Sequence, residues 1–285
     1  AYRRQRQMCI RDRNDMMTLM RLEAPLIAAK AKAGQFVILR ADEHGERIPL
    51  TVADTDIQTG SVTVIFQIVG QTTRLLDSYE TGESILDLVG PLGTPTHLEG
   101  IKRAAVIGGG AGCAIAYPQA KALFKMGAHV DMIAGFRNKE IIILEEEMRA
   151  VSSRLYLTTD DGSNGNKGFV TDVLKSLLAQ GEKYDAVIAI GPLLMMKAVC
   201  AVTEHPRIKT IVSMNPIMID GTGMCGGCRV VVGGEVKFAC VDGPDFDGHL
   251  VDFDSAMKRL GMYKEEESHS CRLREQIKKA KAQGM

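Results

Sequence analysis

Residues 220–240 read D-G-T-G-M-C-G-G-C-R-V-V-V-G-G-E-V-K-F-A-C, and this stretch decides how the rest of the chain is interpreted. It places four potential metal ligands at separations of x4, x2 and x11 inside a glycine-rich loop: Asp220, Cys225, Cys228 and Cys240. Thiolates at C-x4-C-x2-C followed by a distant cysteine are typical ligands of a two-iron, two-sulfur (2Fe-2S) cluster. Here the first ligand is an aspartate, whose harder carboxylate oxygen still binds ferric iron. The spacing therefore predicts an iron-sulfur centre held by these four residues.

The residues between these ligands suit a tight metal-binding loop. Glycines at positions 221, 223, 226 and 227 can adopt positive φ and point N–H groups at cluster sulfurs. The run 229–240, interrupted by Gly233-Gly234, predicts a β-hairpin that returns Cys240 to the loop. Two other interpretations stay open at this point, namely structural zinc on the same residues or buried free cysteines in a core. A zinc ribbon normally supplies a second close Cys or His pair, which this segment lacks.

Length, charge and cysteine distribution limit the class of protein. At 285 residues the chain is long enough for about two or three domains with substantial cores. Lysine plus arginine equals aspartate plus glutamate, at 35 each, and no apolar run approaches the roughly 20 residues that span a bilayer. We therefore expect no nucleic-acid partner and no membrane partner. The other cysteines are scattered in a chain without a secretory signal, so we expect reduced thiols and a cytoplasmic protein; they are Cys9, Cys113, Cys200 and Cys271.

The first 13 residues, A-Y-R-R-Q-R-Q-M-C-I-R-D-R, match none of the patterns that follow. Five arginines without a following apolar stretch are unlike a signal peptide. We interpret residues 1–13 as a cloning or translation artefact that displaces the native start of the first strand. Cys9 accordingly receives no role.

The pattern of strands and helices changes near residue 101. Between residues 16 and 100, β-branched or alternating runs at 18–23, 35–40, 61–69 and 84–89 are separated by turn residues, which predicts a small antiparallel β-barrel. After residue 101, strands at 104–107, 129–134, 155–157, 186–190 and 210–212 alternate with helices at 114–126, 171–178 and 194–203. This alternation predicts an α/β domain whose parallel sheet binds a nucleotide at a strand-to-helix turn. The predicted domains are a barrel over 1–100, a nucleotide-binding domain over 101–213, and a segment with the cluster loop and a C-terminal helix over 214–285.

One short motif within the predicted barrel, at residues 45–51, suits a flavin. In G-E-R-I-P-L-T at 45–51, Arg47 offers a fork to a pyrophosphate, Pro49 and Leu50 offer an apolar edge for the ring, and Thr51 offers a hydroxyl. An arginine before a strand also occurs in many barrels without a ligand.

A second motif suits a phosphate at a helix start. In V-G-Q-T-T at 69–73, the candidates are Gly70, Thr72 and Thr73, which precede a helical stretch. The alternative is a simple Gly-Thr turn, and G-P-L-G at 90–93 is likewise most often just a tight turn.

The glycine turn of the nucleotide domain supplies the third set of candidates. G-G-G-A-G at 108–112 follows a predicted strand and opens a predicted helix, so its amides suit a pyrophosphate, although the motif is shorter than the full G-x-G-x-x-G. The candidate ligands there are Gly108, Gly110, Ala111 and Gly112. Later strands end at the same edge of the sheet with Asp161-Gly162 and with Gly191-Pro192. Arg137 and Lys139 follow the second strand and either meet an adenosine ribose or 2′-phosphate or are solvated loop charges.

In this order the three parts resemble the ferredoxin reductase-like family in its cluster-bearing branch. The chain is most similar there to the small subunits of NADH-dependent reduced ferredoxin:NADP oxidoreductases. The stretches that carry the resemblance are G-Q-F-V-I-L-R at 34–40, E-R-I-P-L-T at 46–51, G-P-L-G at 90–93, G-G-G-A-G at 108–112, T-D-D-G at 159–162 and S-M-N-P-I-M-I-D-G-T-G-M-C-G-G-C at 213–228. The related electron-transfer subunit of dihydroorotate dehydrogenase has Cys where this chain has Asp220, which favours the ferredoxin:NADP branch. Arg47 lies further from Thr51 than the corresponding arginine of the wider family does.

The resemblance implies an electron relay. NAD(H) or NADP(H) would bind the central domain as substrate, hydride would pass to or from FAD in the barrel, and single electrons would pass between FAD and the 2Fe-2S cluster. It also implies a heterodimer with a large flavoprotein and iron-sulfur subunit that binds ferredoxin and performs electron bifurcation. No side chain is assigned as a catalytic acid or base, because the cofactors carry the chemistry. The alternatives are the electron-transfer subunit of dihydroorotate dehydrogenase and a zinc-stabilised, non-catalytic interaction module.

The C-terminal stretch from Asp254 to Gln283 is charged and has a partial apolar face at Met257, Leu260 and Met262. This pattern predicts a helix that caps the domain or docks the large subunit, with a solvated helix as the equal alternative.

Overall fold

The computed structural model of the protein describes the backbone of residues 2–10 and the whole of residues 16–262. The N-terminal part is a closed antiparallel barrel, as predicted. Its strands are β1 (Tyr2–Ile10), β2 (Met17–Glu23), β3 (Phe36–Arg40), β4 (Arg47–Asp56), β5 (Ser61–Gln67) and β6 (Ser84–Leu92), in the order β1-β2-β5-β4-β3-β6 around the barrel. Two short helices, α1 (Pro25–Ala28) and α2 (Gln71–Asp77), connect strands of the barrel.

Strand β1 lies in the segment that was expected to match no pattern. Its backbone pairs antiparallel with β2 on one side and with β6 on the other, which closes the barrel. The sequence pattern does not predict this strand, because backbone hydrogen bonds at an open sheet edge require no particular side chains. The interpretation of this segment as an artefact stays a prediction, and the side chain of Cys9 lies outside the described residues.

Strand alternation gives β3 two different faces. Val37 and Leu39 are buried inside the barrel, whereas Phe36 and Ile38 point outward and are buried against the C-terminal segment. This outer face therefore joins the barrel to the part of the chain that carries the predicted cluster ligands.

The middle of the chain forms the predicted α/β domain. Its strands and main helices are β7 (Arg103–Gly109), α3 (Gly112–Lys125), β8 (His129–Phe136), α4 (Glu145–Ala150), β9 (Arg154–Thr159), α5 (Val170–Ala179), β10 (Ala186–Ile190), α6 (Leu193–Glu204) and β11 (Lys209–Ser213), with a short 3-10 helix at Lys139–Ile141. Five parallel strands lie in the order β11-β10-β7-β8-β9, so the carboxyl ends of all five meet at one edge. Their runs of small and aliphatic residues are buried because helices cover both faces of a parallel sheet.

The C-terminal segment contains a hairpin of β12 (Arg229–Val232) and β13 (Glu235–Phe238), then β14 (Asp245–Asp247) and α7 (Phe253–Leu260). The hairpin prediction is confirmed, with Gly233 and Gly234 at φ of 60° and 81° forming its two-residue turn. Strand β14 adds an antiparallel edge to the nucleotide sheet by pairing with β11. Residues 263–285, which include most of the predicted C-terminal helix and Cys271, lie outside the described residues.

The three parts of the chain meet at the buried carboxyl of Asp245 in β14. The Thr96 hydroxyl, in the link between barrel and sheet, donates to Asp245 Oδ2 at 2.5 Å, and Gln119 Nε2 of α3 donates to the same oxygen at 2.8 Å. Burial raises the pKa of Asp245 to about 6, against the opposing effect of the Thr96 and Ser213 hydroxyls. This polar contact thus links all three parts inside the protein, in addition to the apolar packing on β3 and the β11–β14 pairing.

None of the helices within the described residues has the length and hydropathy needed to cross a bilayer.

Candidate functional site

The glycine-rich turn 108–112 connects β7 to α3 at the carboxyl edge of the sheet. An added Cβ at Gly112 would overlap the carbonyl oxygen of Ile190, and one at Gly108 would lie 2.7 Å from the Cα of Cys113. Neighbouring backbone therefore packs directly on the turn, which is the reason for its glycines. The first amides of α3 are held at the edge where a parallel sheet binds its ligand.

A cavity of about 730 Å³ lies between this edge of the sheet and the barrel. The predicted nucleotide ligands that line it are Gly110, Ala111, Gly112, Arg137, Gly191 and Pro192. Met17 and Gln67 line it from the barrel, and Asn215 lines it from the loop that follows β11. The volume falls within the range of small-molecule sites, and all three parts of the chain contribute to its wall.

Three predicted ligands lie behind or beside the cavity rather than in its wall. Gly108 packs against the start of α3, while Asp161 and Gly162 form an adjacent turn. The Asp161 carboxylate accepts a hydrogen bond from the Ser163 amide at 2.9 Å, and its bonds with Ser163 lower the pKa of Asp161. The residue that lines the cavity is Asp160, which sequence reasoning missed although it precedes Asp161. Ligand roles for Arg137, Asp161 and Gly162 remain predictions.

Strand β4 separates the members of the first flavin motif. Leu50 is partly exposed and packs against the barrel core, which places it on the opposite face of β4 from Pro49; its contact with a flavin stays a prediction. Arg47, Pro49 and Thr51 alternate onto the other face. Arg47 Nε donates to the carbonyl oxygen of Ile219 at 2.8 Å, which directs this side chain toward the cluster loop. Binding of flavin by Pro49 and Thr51 stays a prediction.

The second flavin motif forms the start of α2. The Thr73 hydroxyl accepts hydrogen bonds from the amides of Val69 at 3.1 Å and Gly70 at 3.0 Å, and the Thr72 side chain is buried. The Thr73 hydroxyl therefore serves the local fold and already occupies the Val69 and Gly70 amides. Contacts of Gly70, Thr72 and Thr73 with a flavin remain predictions.

The predicted metal ligands lie in two pairs. Asp220 Oδ2 accepts the Cys225 amide at 2.7 Å, and Asp220 Oδ1 accepts the Thr222 amide at 2.8 Å. The Cys240 amide contacts Cys228 Sγ at 3.4 Å across the ends of the hairpin. Each iron of a two-iron cluster takes two protein ligands, and this grouping through backbone amides is compatible with that chemistry. Iron binding by Asp220, Cys225, Cys228 and Cys240 stays a prediction.

The second pair of predicted ligands lies in the interior of the protein. Cys228 and Cys240 are 1% and 2% exposed, and burial, together with the adjacent Cys228 thiol, raises the pKa of Cys240 to about 12. Without a bound cation this environment favours the neutral thiol of Cys240, so binding of iron there would release its proton. Cys225 is exposed, so the other pair lies at the surface.

Within residues 16–262, no three His, Cys, Asp or Glu side chains converge on a point suited to one metal ion. A tetrahedral zinc site requires four donors around a single centre. The four predicted ligands, all within these residues, form no such single-centre group for zinc or for iron.

The loop carrying the first pair rests on the outside of the barrel. An added Cβ at Gly221 would lie 2.6 Å from Leu92 Cδ1 and 2.9 Å from Ile38 Cδ1. Ile38 is opposite Pro49 in the β3–β4 register. The sequence analysis did not identify Ile38 and Leu92 as supports of the cluster loop. The only sign of this role is that each is an apolar residue on the outward face of a barrel strand.

An antiparallel barrel, a parallel sheet with a glycine turn and a two-iron loop define a ferredoxin reductase-like electron-transfer protein. Residues 215–252 match the family model described as the iron-sulfur cluster binding domain of dihydroorotate dehydrogenase B. A Thermotoga maritima protein named "dihydroorotate dehydrogenase B (NAD(+)), electron transfer subunit homolog" is 46% identical over 249 residues, covering 87% of this chain and 88% of the relative. The corresponding subunit from Bacillus caldolyticus is 33% identical over 234 residues, covering 79% of this chain and 88% of the relative.

A solved structure gives the same architecture. It is the structure of an NADH-dependent reduced ferredoxin-NADP oxidoreductase, described in connection with flavin-based electron bifurcation. The match has a TM-score of 0.89 and 41% sequence identity, and it covers 95% of this chain and 98% of that chain. The chain belongs to the family of dihydroorotate dehydrogenase B electron transfer subunits and their homologues. It is an electron-transfer subunit of an oxidoreductase.

Proposed function

We propose that this chain passes electrons between NAD(H), FAD and a 2Fe-2S cluster as the small subunit of an NADH-dependent ferredoxin:NADP oxidoreductase. One observation carries the proposal: the barrel borders the nucleotide cavity through Gln67 and supports the cluster loop through Ile38. A flavin on that barrel would lie between the two other redox groups. The names of the relatives include NAD(+), NADH and NADP, and NAD(H) is the nucleotide common to them.

The residues of the chain bind and orient, and FAD when bound supplies the exchange between two-electron hydride chemistry and single electrons. Amides of the 108–112 turn and the start of α3 would hold the pyrophosphate of the nucleotide. The outer face of β4 would orient the flavin, with Thr51 as a hydrogen-bonding group. Asp220, Cys225, Cys228 and Cys240 would hold the two irons, with amides of the loop oriented toward the sulfur atoms.

Rapid mixing of the anaerobically purified chain with NADH tests this proposal. The expected result is loss of flavin absorbance followed by the electron paramagnetic resonance (EPR) signal of a reduced two-iron cluster, with NADPH reacting more slowly. Flavin reduction without any cluster signal would contradict the relay, and a colourless protein would contradict the whole assignment.

The partner would be a large flavoprotein and iron-sulfur subunit that binds ferredoxin and carries out bifurcation. Asp220 supports this branch, because the resemblance places Cys at that position in dihydroorotate dehydrogenase subunits. The scattered, buried Cys113 and Cys200 thiols support a cytoplasmic location.

The electron-transfer subunit of a dihydroorotate dehydrogenase is the second candidate, favoured by the names of the curated relatives. Affinity purification from the native cells separates the two. Recovery of a partner that oxidises dihydroorotate would favour the second candidate, and recovery of a partner that reduces ferredoxin would favour the first.

A further inference from the structure

The side chain of Arg47 joins the barrel to the cluster loop across 172 positions of sequence. Arg47 begins β4, and its Nε donates to the Ile219 carbonyl oxygen at 2.8 Å. Ile219 directly precedes Asp220, the predicted ligand whose carboxylate accepts the Cys225 amide. Arg47 thus holds the residue that directly precedes a predicted iron ligand.

A second contact fixes the loop on the other side of Asp220. Gly221 has φ +78° and lies so close to Ile38 and Leu92 that an added Cβ would be 2.9 Å and 2.6 Å from their side chains. Asp220 is therefore flanked by a polar attachment at Ile219 and an apolar attachment at Gly221. Both attachments end on the barrel.

The same face of the barrel contains the remaining flavin candidates. Arg47, Pro49 and Thr51 share one face of β4 by strand alternation, and Pro49 is opposite Ile38 in the β3–β4 register. Ile38, which supports the loop at Gly221, is consequently next to Pro49, which is on the face that would orient the flavin. Any shift of the loop at Ile219 would change the distance between the two redox groups.

Resting on the function proposed above, we propose that Arg47 is a positioning residue for the cluster loop rather than a ligand of the flavin pyrophosphate. Its Nε–H holds the Ile219 carbonyl and so fixes Asp220 at the edge of the barrel. Electron tunnelling falls steeply with distance, and a ligand that moves changes the electronic structure of its iron. Arg47 would therefore set both the rate of transfer between flavin and cluster and the EPR signature of the cluster.

Arg40 is a matched control because it is the partner of Arg47 in the β3–β4 register. Its guanidinium bonds inside its own hairpin, to the Gly45 carbonyl at 3.2 Å and to the Glu43 carbonyl, and makes an ion pair with Asp87. A substitution of Arg40 thus removes a similar charge from the same strands without touching the cluster loop.

The test compares Arg47→Leu, Arg47→Lys and Arg40→Leu in the full chain. Lysine keeps the charge of Arg47 but places a methylene where arginine has Nε–H, so it separates position from charge. Flavin and iron content, the EPR spectrum of the dithionite-reduced cluster, and the rate of cluster reduction after mixing with NADH are measured for each.

Both Arg47 variants are expected to retain flavin and iron, to show an altered EPR spectrum, and to reduce the cluster roughly tenfold more slowly. Arg40→Leu is expected to match the unsubstituted protein in all these measurements. A normal spectrum and rate in Arg47→Leu, a normal Arg47→Lys beside an altered Arg47→Leu, or loss of flavin alone from the Arg47 variants would overturn the proposal. Absence of flavin or iron from the unsubstituted protein would instead overturn the proposed function, so the two failures are distinguishable.

Discussion

The nucleotide edge and the cluster loop are both rich in glycine, but they are held in shape by different means. At the nucleotide edge, a Cβ on Gly112 would overlap the Ile190 backbone, so close packing demands the glycine. In the cluster loop, Gly223 and Gly226 have φ of 83° and 64°, and an added Cβ would meet nothing closer than 3.1 Å. The first site is formed by the fold itself. The second depends on backbone conformation, bound metal and attachments to the barrel.

The sharpest way to break this comparison is Gly112→Ala. Overlap with the Ile190 carbonyl should destabilise the protein by about 3 kcal/mol or more, because neither backbone can move without disturbing the sheet. Denaturant unfolding measures the effect. Gly261→Ala is the control, since its Cβ would meet only ordinary contacts beyond 3.5 Å, and it should stay within about 0.5 kcal/mol. Equal stability of the two variants would contradict a packing-determined edge.

Cys228→Ala tests whether the cluster loop depends on bound metal, as opposed to the close packing that shapes the nucleotide edge. Loss of a buried ligand should remove nearly all iron while the nucleotide domain stays folded, as judged by metal analysis and circular dichroism. Cys200→Ala removes another buried thiol, from the core of the nucleotide domain, and this variant should keep its iron at a cost of about 1 kcal/mol in stability. Retained iron in Cys228→Ala together with lost iron in Cys200→Ala would reverse the ligand assignment.

Asp245 links the C-terminal segment, which carries the cluster loop, to the nucleotide domain, and its protonation predicts a pH dependence of stability. The folded-state pKa of about 6 is above the usual 3.8 of an aspartate, so the folded protein binds this proton more tightly than the unfolded chain. The stability that the protonated Asp245 carboxyl gives the folded protein is fully present below about pH 3.8. It is lost as pH rises through about 6, which lowers the free energy of unfolding by about 3 kcal/mol. Asp245→Asn removes this dependence, so its stability relative to the unsubstituted protein should rise between pH 4 and pH 7.

Urea unfolding of both proteins at several pH values measures that difference. Asp161→Asn serves as control, because the pKa of Asp161 is lowered and its contribution follows the opposite sign. A stability difference for Asp245→Asn that stays flat across this range would show that burial of the carboxyl has no energetic consequence.

The smallest expected effect is that of Asp220→Cys. A thiolate should preserve the cluster, and because the hard carboxylate favours ferric iron, its replacement should raise the reduction potential by on the order of 100 mV. Potentiometric titration followed by EPR measures the shift. An unchanged potential would indicate that Asp220 does not bind iron.

Local signals made part of the structure predictable from sequence. The hairpin after Cys228 follows from its Gly233-Gly234 turn, and the nucleotide edge follows from a glycine run between a strand and a helix. In both cases the residues that decide the structure are neighbours in sequence. Their conformation therefore depends little on the rest of the chain.

Features created by distant residues were not predictable. Strand β4 contains Pro49 and a polar end at Asp54 to Asp56, which obscure its alternation. The contact of Arg47 with Ile219 and the burial of Asp245 join positions far apart in sequence, and nothing local marks them. The sequence motif also gives no sign that Pro49 and Leu50 lie on opposite faces, because that follows only once the stretch is known to be a strand.

The central claim is that two ligand pairs on this chain bind two irons beside a flavin. Metal and flavin analysis of the anaerobically purified protein, with EPR before and after dithionite, tests it most directly. We predict about two irons and one flavin per chain, and a signal that appears only on reduction. Zinc without iron, or a centre that dithionite leaves silent, would contradict the account.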